Sequence, residues 1–306
     1  MNKKTIGIPK AFLYFRYHVL WKTFFTKLGY KVVVSSDTTK ETIELGKLHS
    51  IDEACLSSKI YMGHIASLKD KCDYILIPRV ENYGKGEKVC VKFNATYDLA
   101  KKLFSPSQTL DYNIEQTKHN YASLGLISLG LKLTKSPIKV VKSYFYAKKQ
   151  ERKYHKKREK HQEKVLNNNK PKILLVSHPY NTYDSYIGKP IIKKLHSLDI
   201  NIIYADKLNR RLAKMYASTL SPTLYWTYSK ELIGAIGYYQ YAVDGILFLS
   251  SFPCGPDSLV NELMLRKITS LPMCNILVDE LSSNTGLETR LESFIDIIKE
   301  RKIKSE

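Results

Sequence analysis

The feature that most limits the fold is a short apolar run that leads through a turn into a helix. The run spans residues 243–249, and its length and flanking polar residues predict a strand buried in a parallel sheet. A Pro-Cys-Gly-Pro turn centred on Cys254 follows. Residues 258–267 then have a helical pattern, with Asp257 or Ser258 as the N-cap. Cys254 is therefore predicted at the carboxyl end of a strand, just before a helix begins.

This position of Cys254 matters because open α/β sheets bind their ligands at the carboxyl ends of the strands. The helix dipole and the unpaired N–H groups of a first turn favour the thiolate form of a cysteine. Two prolines and a glycine restrict the backbone around the sulfur. The alternative interpretation is a cysteine packed in a tight turn, since thiols are commonly buried.

The same alternation of strand and helix recurs in the rest of the chain. Strands are predicted at residues 5–8, 31–35 and 74–78, and helices between them at 12–28 and 57–68. A second series begins with the strand at 172–176 and continues through the strands at 201–204, 243–249 and 275–279 to a last helix at 287–299. The sequence predicts an α/β protein with two βαβ lobes and parallel sheets.

A basic, helical segment separates the two series. Two long helices are predicted at residues 110–133 and 138–166, and we divide the chain into a first lobe (1–107), a helical insert and linker (108–170) and a second lobe (171–306). The chain carries a net charge of +20, much of it between Lys132 and Lys172. A surface for nucleic acid is one interpretation of this charge. We favour the other, solvated helices exposed outside the main site, because no nucleic-acid-binding module is recognisable.

We expect neither a membrane-spanning protein nor a protein with structural disulfides. No apolar run approaches the roughly 20 residues of a membrane span, and the first residues lead directly into a strand, so we predict a cytoplasmic protein without a membrane partner. An odd number of widely spaced cysteines argues against structural disulfides, and the lack of a C-x2-C pair argues against a zinc knuckle. The five are Cys55, Cys72, Cys90, Cys254 and Cys274.

Several motifs, in this order along the chain, resemble those of one family, the 2-hydroxyacyl-CoA dehydratase component and activase-related proteins. They are Asp52-Glu53-Ala54-Cys55, Gly63-His64, Pro78-Arg79, Cys90-x-Lys92-Phe93, His178-Pro179-Tyr180-Asn181, Phe252-x-Cys254-Gly255-Pro256-Asp257-Ser258 and Asp279-Glu280 with Gly286-Leu287-x-Thr289-Arg290-Leu291-Glu292. The resemblance covers nearly the whole chain apart from the basic insert. Three positions depart from the family's usual residues, with Ser57 and Val91 in place of proline and Leu281 in place of histidine.

The resemblance implies two Rossmann-like lobes with a [4Fe–4S] cluster between them, for which Cys55, Cys90 and Cys254 are the candidate ligands. Each of these cysteines is predicted beside a helix start, whereas Cys72 and Cys274 are interpreted as core residues. Three thiolates would leave one iron open to a substrate oxygen or water. His64 is interpreted as a packing residue and the role of His178 is left open. Arg79, Asp257 and Ser258 are candidates to line the cleft.

The function implied by the resemblance is that of a [4Fe–4S] protein similar to the dehydratase component. It would receive low-potential electrons from a separate ATP-dependent activator and act on a CoA-thioester or related small substrate. The chain contains no Walker A motif, which is consistent with ATP hydrolysis on a partner. The alternatives are a non-enzymatic iron–sulfur electron carrier or regulatory binding module and, more remotely, a nucleic-acid-binding protein.

Overall fold

Short apolar runs form parallel strands in a computed structural model of the protein, in which residues 3–281 and 284–305 are described. The chain divides into two units, Met1–His155 and Lys156–Glu306. We call these unit 1 and unit 2. The division falls inside the longest helix, so the first half of that helix belongs to unit 1 and the second half to unit 2.

Unit 1 begins with alternating strands and helices, and then becomes less regular. Its elements are β1 (Thr5–Ile8), α1 (Tyr14–Leu28), β2 (Lys31–Val34), α2 (Lys40–Lys47), α3 (Leu56–Ser67), β3 (Tyr74–Leu76), β4 (Arg79–Asn82), α4 (Val91–Lys101), β5 (Thr109–Leu110), β6 (Asn113–Glu115), α5 (Ala122–Leu133) and the first part of α6 (Pro137–Leu166). A four-stranded parallel sheet has the order β2-β1-β3-β5, and β4 pairs in parallel with β6.

Aromatic side chains of α1 form much of the core of unit 1. Trp21, Phe24 and Phe25 are almost completely buried, as their helical spacing predicts. Gly29 ends the helix in the left-handed conformation, at φ 101°, which glycine adopts without steric cost. Phe12 was predicted as the first aromatic residue of this helix, but it lies before α1 with a left-handed φ of 45°. The chain turns sharply there to carry β1 into the helix.

The helical segment after residue 108 differs in part from its prediction. The helix predicted at 110–133 is wrong over its first half, because α5 begins only at Ala122. Before it, β5 adds to the four-stranded sheet and β6 forms a two-stranded sheet with β4. Short strands at a sheet edge are stabilised by pairing rather than by their own sequence pattern. The second helix is confirmed as α6, which begins at Pro137, the first-turn position that proline favours.

Unit 2 repeats the strand–helix alternation without a recognisable sequence repeat. Its elements after α6 are β7 (Lys172–Val176), α7 (Pro179–Thr182), α8 (Gly188–Ser197), β8 (Asn201–Tyr204), α9 (Arg210–Leu220), α10 (Thr227–Tyr239), β9 (Gly245–Ser251), α11 (Gly255–Lys267), β10 (Met273–Val278) and α12 (Asn284–Ser305). All four strands are parallel, in the order β10-β9-β7-β8. Strand β9 is buried along its whole length, as predicted for residues 243–249.

The strand order reverses once in each sheet. In unit 1 the chain passes from β1 to its neighbour β2 and then crosses to β3 on the other side of β1. In unit 2 it passes from β7 to β8 and then crosses to β9 on the other side of β7. Such switch points create a crevice at the carboxyl ends of the two central strands, where α/β proteins bind ligands. The structure therefore confirms the predicted class of Rossmann-like lobes with parallel sheets.

The sequence analysis expected the helices of the basic segment to be exposed, but one face of α6 is buried. Val140, Tyr144, Ala147 and Glu151 form a buried face of α6 within unit 1. In unit 2, Gln162 is 2% exposed on the same helix. The buried face of α6 was not predicted from the sequence, because the lysines around it dominate the charge pattern. Among the described residues, no helix combines the length and the apolar character that crossing a membrane requires.

Candidate functional site

Cys55 lies at the start of α3 and is the N-cap residue of that helix. Its backbone is extended, with φ −67° and ψ 153°, and its carbonyl oxygen accepts from the N–H groups of Ser58 and Lys59. The Sγ atom lies 3.3 Å from the hydroxyl of Ser58. The sulfur is therefore placed beside the positive end of a three-turn helix, where a thiolate is favoured.

Cys90 occupies the same position at the start of α4. Its φ and ψ of −60° and 138° are close to those of Cys55, and its carbonyl oxygen accepts from Asn94 N. Lys92, two residues further on, donates from Nζ to the carbonyl oxygen of Glu53 at 2.5 Å. Glu53 is two residues before Cys55, so this bond holds the starts of α3 and α4 together. The structure thus brings the segments of these two predicted site residues side by side in unit 1.

Cys254 is the N-cap residue of α11 in unit 2. It follows β9 after a turn that contains a cis Phe252–Pro253 peptide, and its backbone is again extended, with φ −90° and ψ 102°. Ser258 donates to the carbonyl oxygen of Cys254 both from its backbone N–H and from its hydroxyl, at 3.0 and 2.8 Å. The sequence prediction of a cysteine between a strand end and a helix start is confirmed. The predicted N-cap, Asp257 or Ser258, is wrong, because the helix already begins at Gly255 and Pro256 is accommodated in its first turn.

The other two cysteines have different surroundings. Cys72 is buried, and its thiol donates to the carbonyl oxygen of Leu68 at 3.4 Å. Burial raises the pKa of the Cys72 thiol, and it also raises the pKa of Cys274, which is half-buried in β10. A raised pKa disfavours the thiolate that binds metals. These features agree with the interpretation of both residues as packing cysteines.

A buried polar pair lies at the switch point of unit 2. His178, two residues after the end of β7, is 4% exposed, and its Nε2 lies 2.8 Å from Oδ1 of Asp257 in the first turn of α11. The ring stacks on Tyr180, with a centroid separation of 5.0 Å, and meets Tyr228 at the start of α10 edge-on. The pair ties the loop after β7 to the helix that Cys254 caps. Asp257, a predicted cleft residue, is buried in this pair, whereas Ser258 is exposed.

The switch point of unit 1 contains a small cavity between the loop after β1 and helices α3 and α4. Phe12 from that loop contacts the rings of Tyr61 on α3 and Phe93 on α4, with centroid distances of 4.9 and 4.7 Å. Arg79 and Asn94 supply polar groups to the lining. A non-glycine residue in the left-handed region, as Phe12 is, costs about 1–3 kcal/mol, and such strain concentrates at functional sites.

Arg79 is held in place from several directions. Its Nε donates to Oδ1 of Asn94 at 2.9 Å and lies 3.4 Å from a carboxylate oxygen of Glu81, and its guanidinium lies over the ring of Tyr97. The side chain is one-third exposed, so it borders both the cavity and an open groove along α4. This placement agrees with the prediction of Arg79 at a strand end.

His64 is a satisfied packing residue, as predicted. It is buried in α3 and its Nε2 lies 2.9 Å from the hydroxyl of Thr38. Burial, with a smaller contribution from the positive charge of Lys10, lowers the pKa of His64 to about 4. The ring is therefore neutral near pH 7 and contributes no charge to the site.

Sequence reasoning missed a charged network that attaches α6 to unit 2. Arg158 donates to a carboxylate oxygen of Asp206 at 2.8 Å and also contacts the Tyr183 hydroxyl, which in turn donates to Asp206 at 2.8 Å. Burial raises the pKa of Tyr183 well above its ordinary value and lowers the pKa of the neighbouring Lys207 to about 8. The basic run around Arg158 gave no signal that one of its members is paired and partly buried.

Comparison with known proteins places the chain in a family. Residues 5–208 match the family described as "CoA enzyme activase uncharacterised domain (DUF2229)". The chain belongs to this family. The matched region contains Cys55, Cys90 and His178 and ends before Cys254. The activase-related part of the resemblance is therefore confirmed, and the dehydratase component is not.

The other comparisons add no function. No curated protein matches the chain. Among solved structures, UDP-GlcNAc 2-epimerase from Methanocaldococcus jannaschii is similar over 97% of this chain and 92% of its own, at 12% identity and a TM-score of 0.23. A likeness this weak supports no conclusion about the CoA enzyme activase family member described here.

The described residues include no group of three or more His, Cys, Asp or Glu side chains arranged to hold a single metal ion. Cys55 and Cys90 belong to unit 1 and Cys254 belongs to unit 2. What the three share is their local setting, an extended N-cap at the start of a helix of at least eleven residues. Three such thiols have the ligand chemistry of an iron–sulfur cluster.

Proposed function

We propose that this member of the CoA enzyme activase family binds a [4Fe–4S] cluster through Cys55, Cys90 and Cys254. It would receive low-potential electrons from an ATP-dependent activator protein and act on a CoA-thioester or a related small substrate. The observation that supports the cluster best is the common setting of the three cysteines, each the N-cap of a helix. Thiolates are the usual protein ligands of iron–sulfur clusters, and a helix N-terminus favours the thiolate.

The other two cysteines of the chain lie in different settings, which supports the choice of these three as ligands. The pKa of Cys72 and of Cys274 is raised by burial, and neither residue begins a helix. The Lys92–Glu53 bond would keep two of the three ligand segments in register before a cluster is bound. In the proposed cluster, Cys55 and Cys90 would come from unit 1 and Cys254 from unit 2.

The bound cluster would supply low-potential electron transfer and an iron site open to a substrate oxygen. The chain's own residues would orient and screen that site. The helix N-termini would stabilise the negative charge of the thiolates. His178, fixed by Asp257, would hold the loop after β7 against the turn that carries Cys254. Arg79 would offer its guanidinium to a carbonyl or carboxylate oxygen.

Iron binding tests the proposal directly. The protein is purified without oxygen and reconstituted with iron and sulfide, and iron, sulfide, the visible spectrum and the EPR signal after reduction are measured. We expect about four irons per chain in the wild type and in the control variants Cys72→Ser and Cys274→Ser. Cys55→Ser, Cys90→Ser and Cys254→Ser should each lose most of the iron and the signal while remaining folded by circular dichroism.

Two results would show that the thiolates are wrongly chosen. One is full iron occupancy with a normal signal in Cys254→Ser, and the other is loss of the cluster in a folded Cys72→Ser protein. A stable cluster that accepts electrons but turns over no CoA-thioester would instead indicate a non-enzymatic electron carrier.

A further inference from the structure

An unusual stretch of surface lies in unit 1, on α5 and the first half of α6. Residues 116–150 contain seven lysines, no arginine and no aspartate or glutamate. Seven of the twenty exposed large apolar side chains in the described part of the chain also lie within these residues. They are Tyr121, Leu124, Leu131, Ile138, Val141, Phe145 and Tyr146. Lys118 and Lys148 pair with Glu115 and Glu151, which flank the stretch, and the other five lysines keep it strongly basic. Exposed apolar groups and a high density of positive charge therefore coincide.

Helix α6 has a buried apolar side and an opposite, exposed side that carries both apolar and basic residues. Val140, Tyr144 and Ala147 face the core of unit 1. Ile138, Val141 and Phe145 follow one another at helical spacing on the opposite side, and Phe145 and Ile138 are 65% and 68% exposed. Lys142, Lys149 and Arg152 continue the same side toward the C-terminus. We call Ile138, Val141, Lys142, Phe145 and Lys149 the outer α6 face.

A second copy of the chain does not suit this surface. Each copy carries a net charge of +20, so two such faces would repel each other. Protein partners in general are also disfavoured, because protein–protein interfaces are depleted in lysine and enriched in arginine. A nucleic acid would give the exposed leucine, isoleucine and valine side chains no apolar partner, since its affinity comes from phosphates and base stacking.

An anionic lipid surface fits all of these features. Lysines are attracted to anionic headgroups, and their long side chains allow the ammonium groups to remain in water while apolar side chains enter the boundary with the acyl chains. Phenylalanine and aliphatic residues on one side of a helix provide that apolar part. We propose that the outer α6 face adsorbs this protein on anionic bilayers without crossing them. This proposal replaces the expectation of a protein without a membrane partner, which considered only membrane-spanning segments.

Vesicle co-sedimentation of the full chain tests the proposal. The probes are vesicles of equal parts phosphatidylcholine and phosphatidylglycerol and vesicles of phosphatidylcholine alone, at about 0.1 M and about 0.5 M salt. We expect binding only to the anionic vesicles, weakened by the higher salt. Lys142→Glu with Lys149→Glu should lower the partition coefficient at least about tenfold. Phe145→Ala should lower it about fivefold.

Matched controls separate this face from overall charge and overall apolarity. Lys193→Glu with Lys214→Glu makes the same change in net charge on exposed lysines of unit 2, and Tyr241→Ala removes another exposed aromatic ring. Both should bind almost as the wild type does. Phe145→Trp in a chain lacking Trp21 and Trp226 should shift its emission to the blue when anionic vesicles are added.

Three results would overturn the proposal. They are no binding to anionic vesicles at the lower salt, equal losses in the control and test charge reversals, and full binding by Phe145→Ala, which would indicate charge adsorption alone. Capture of an acidic protein by wild-type chain that binds no vesicles would assign the surface to a protein partner instead. None of these readouts depends on iron, so the cluster and the lipid surface succeed or fail separately.

Discussion

Gln162 offers a direct test of how the basic helix is held. Its Nε2 donates to the carbonyl oxygen of Tyr204 and to the hydroxyl of Tyr239, both at 3.0 Å, and its Oε1 accepts from Tyr204 N at 2.9 Å. Tyr204 is the last residue of β8. The side-chain amide of Gln162 bonds the backbone N–H and carbonyl of Tyr204 in the way that a neighbouring strand would. Replacement by leucine conserves the approximate volume and removes all three bonds.

The cost can be worked from these contacts. A neutral hydrogen bond contributes about 1 kcal/mol net, and a buried backbone group left unsatisfied costs about 1–3 kcal/mol. Tyr204 would lose partners on both its N–H and its carbonyl, and the buried hydroxyl of Tyr239 would lose the amide that donates to it. We therefore expect Gln162→Leu to lower the free energy of unfolding of unit 2 by about 3 kcal/mol.

Urea unfolding of unit 2 can be followed alone, because the chain has two tryptophans and only Trp226 lies in unit 2. The measurement is made in a Trp21→Phe background. His161→Leu, at an exposed position beside Gln162 in the unit 2 part of the same helix, is the matched control. The control should change the free energy by less than about 0.5 kcal/mol. Equal values for the two variants would refute the reasoning. They would indicate instead that this part of α6 is exposed, as predicted from the sequence.

The remaining predictions concern protonation and charge. Because the pKa of His64 is lowered to about 4 from 6.5, the unfolded chain binds an extra proton between these values, and stability is lost as the pH falls through that window. Wild type should lose up to about 3 kcal/mol more than His64→Gln between pH 7 and pH 4, as measured by urea unfolding, and parallel pH profiles would contradict this. Neutralising Lys149, Lys153, Lys156, Lys157 and Lys160 to glutamine should leave the iron content unchanged and remove only weak, salt-sensitive binding of DNA. Sequence-selective binding of DNA or RNA at physiological salt would overturn the view that this segment has no nucleic-acid function.

The sequence by itself determined the strand–helix alternation and the local setting of the cysteines. Buried parallel strands read as continuous apolar runs, which is why the run at 243–249 and the turn at Cys254 could be located from the residues alone. A helix start is also a local property, so Cys55, Cys90 and Cys254 lie beside helix starts as their flanking patterns predicted. For Cys254 the exact N-cap was missed, because the helix begins three residues earlier than the pattern suggested.

Only the tertiary structure decided which of these local pieces meet. β5 and β6 exist because β3 and β4 were available for them to pair with, although the sequence pattern from residue 110 onward had suggested a helix. The Lys92–Glu53 bond, the buried His178–Asp257 pair and the attachment of Gln162 to Tyr204 join residues 39, 79 and 42 positions apart. Contacts at such separations depend on how the sheets stack and cross, and a one-dimensional pattern of polarity does not encode that information locally.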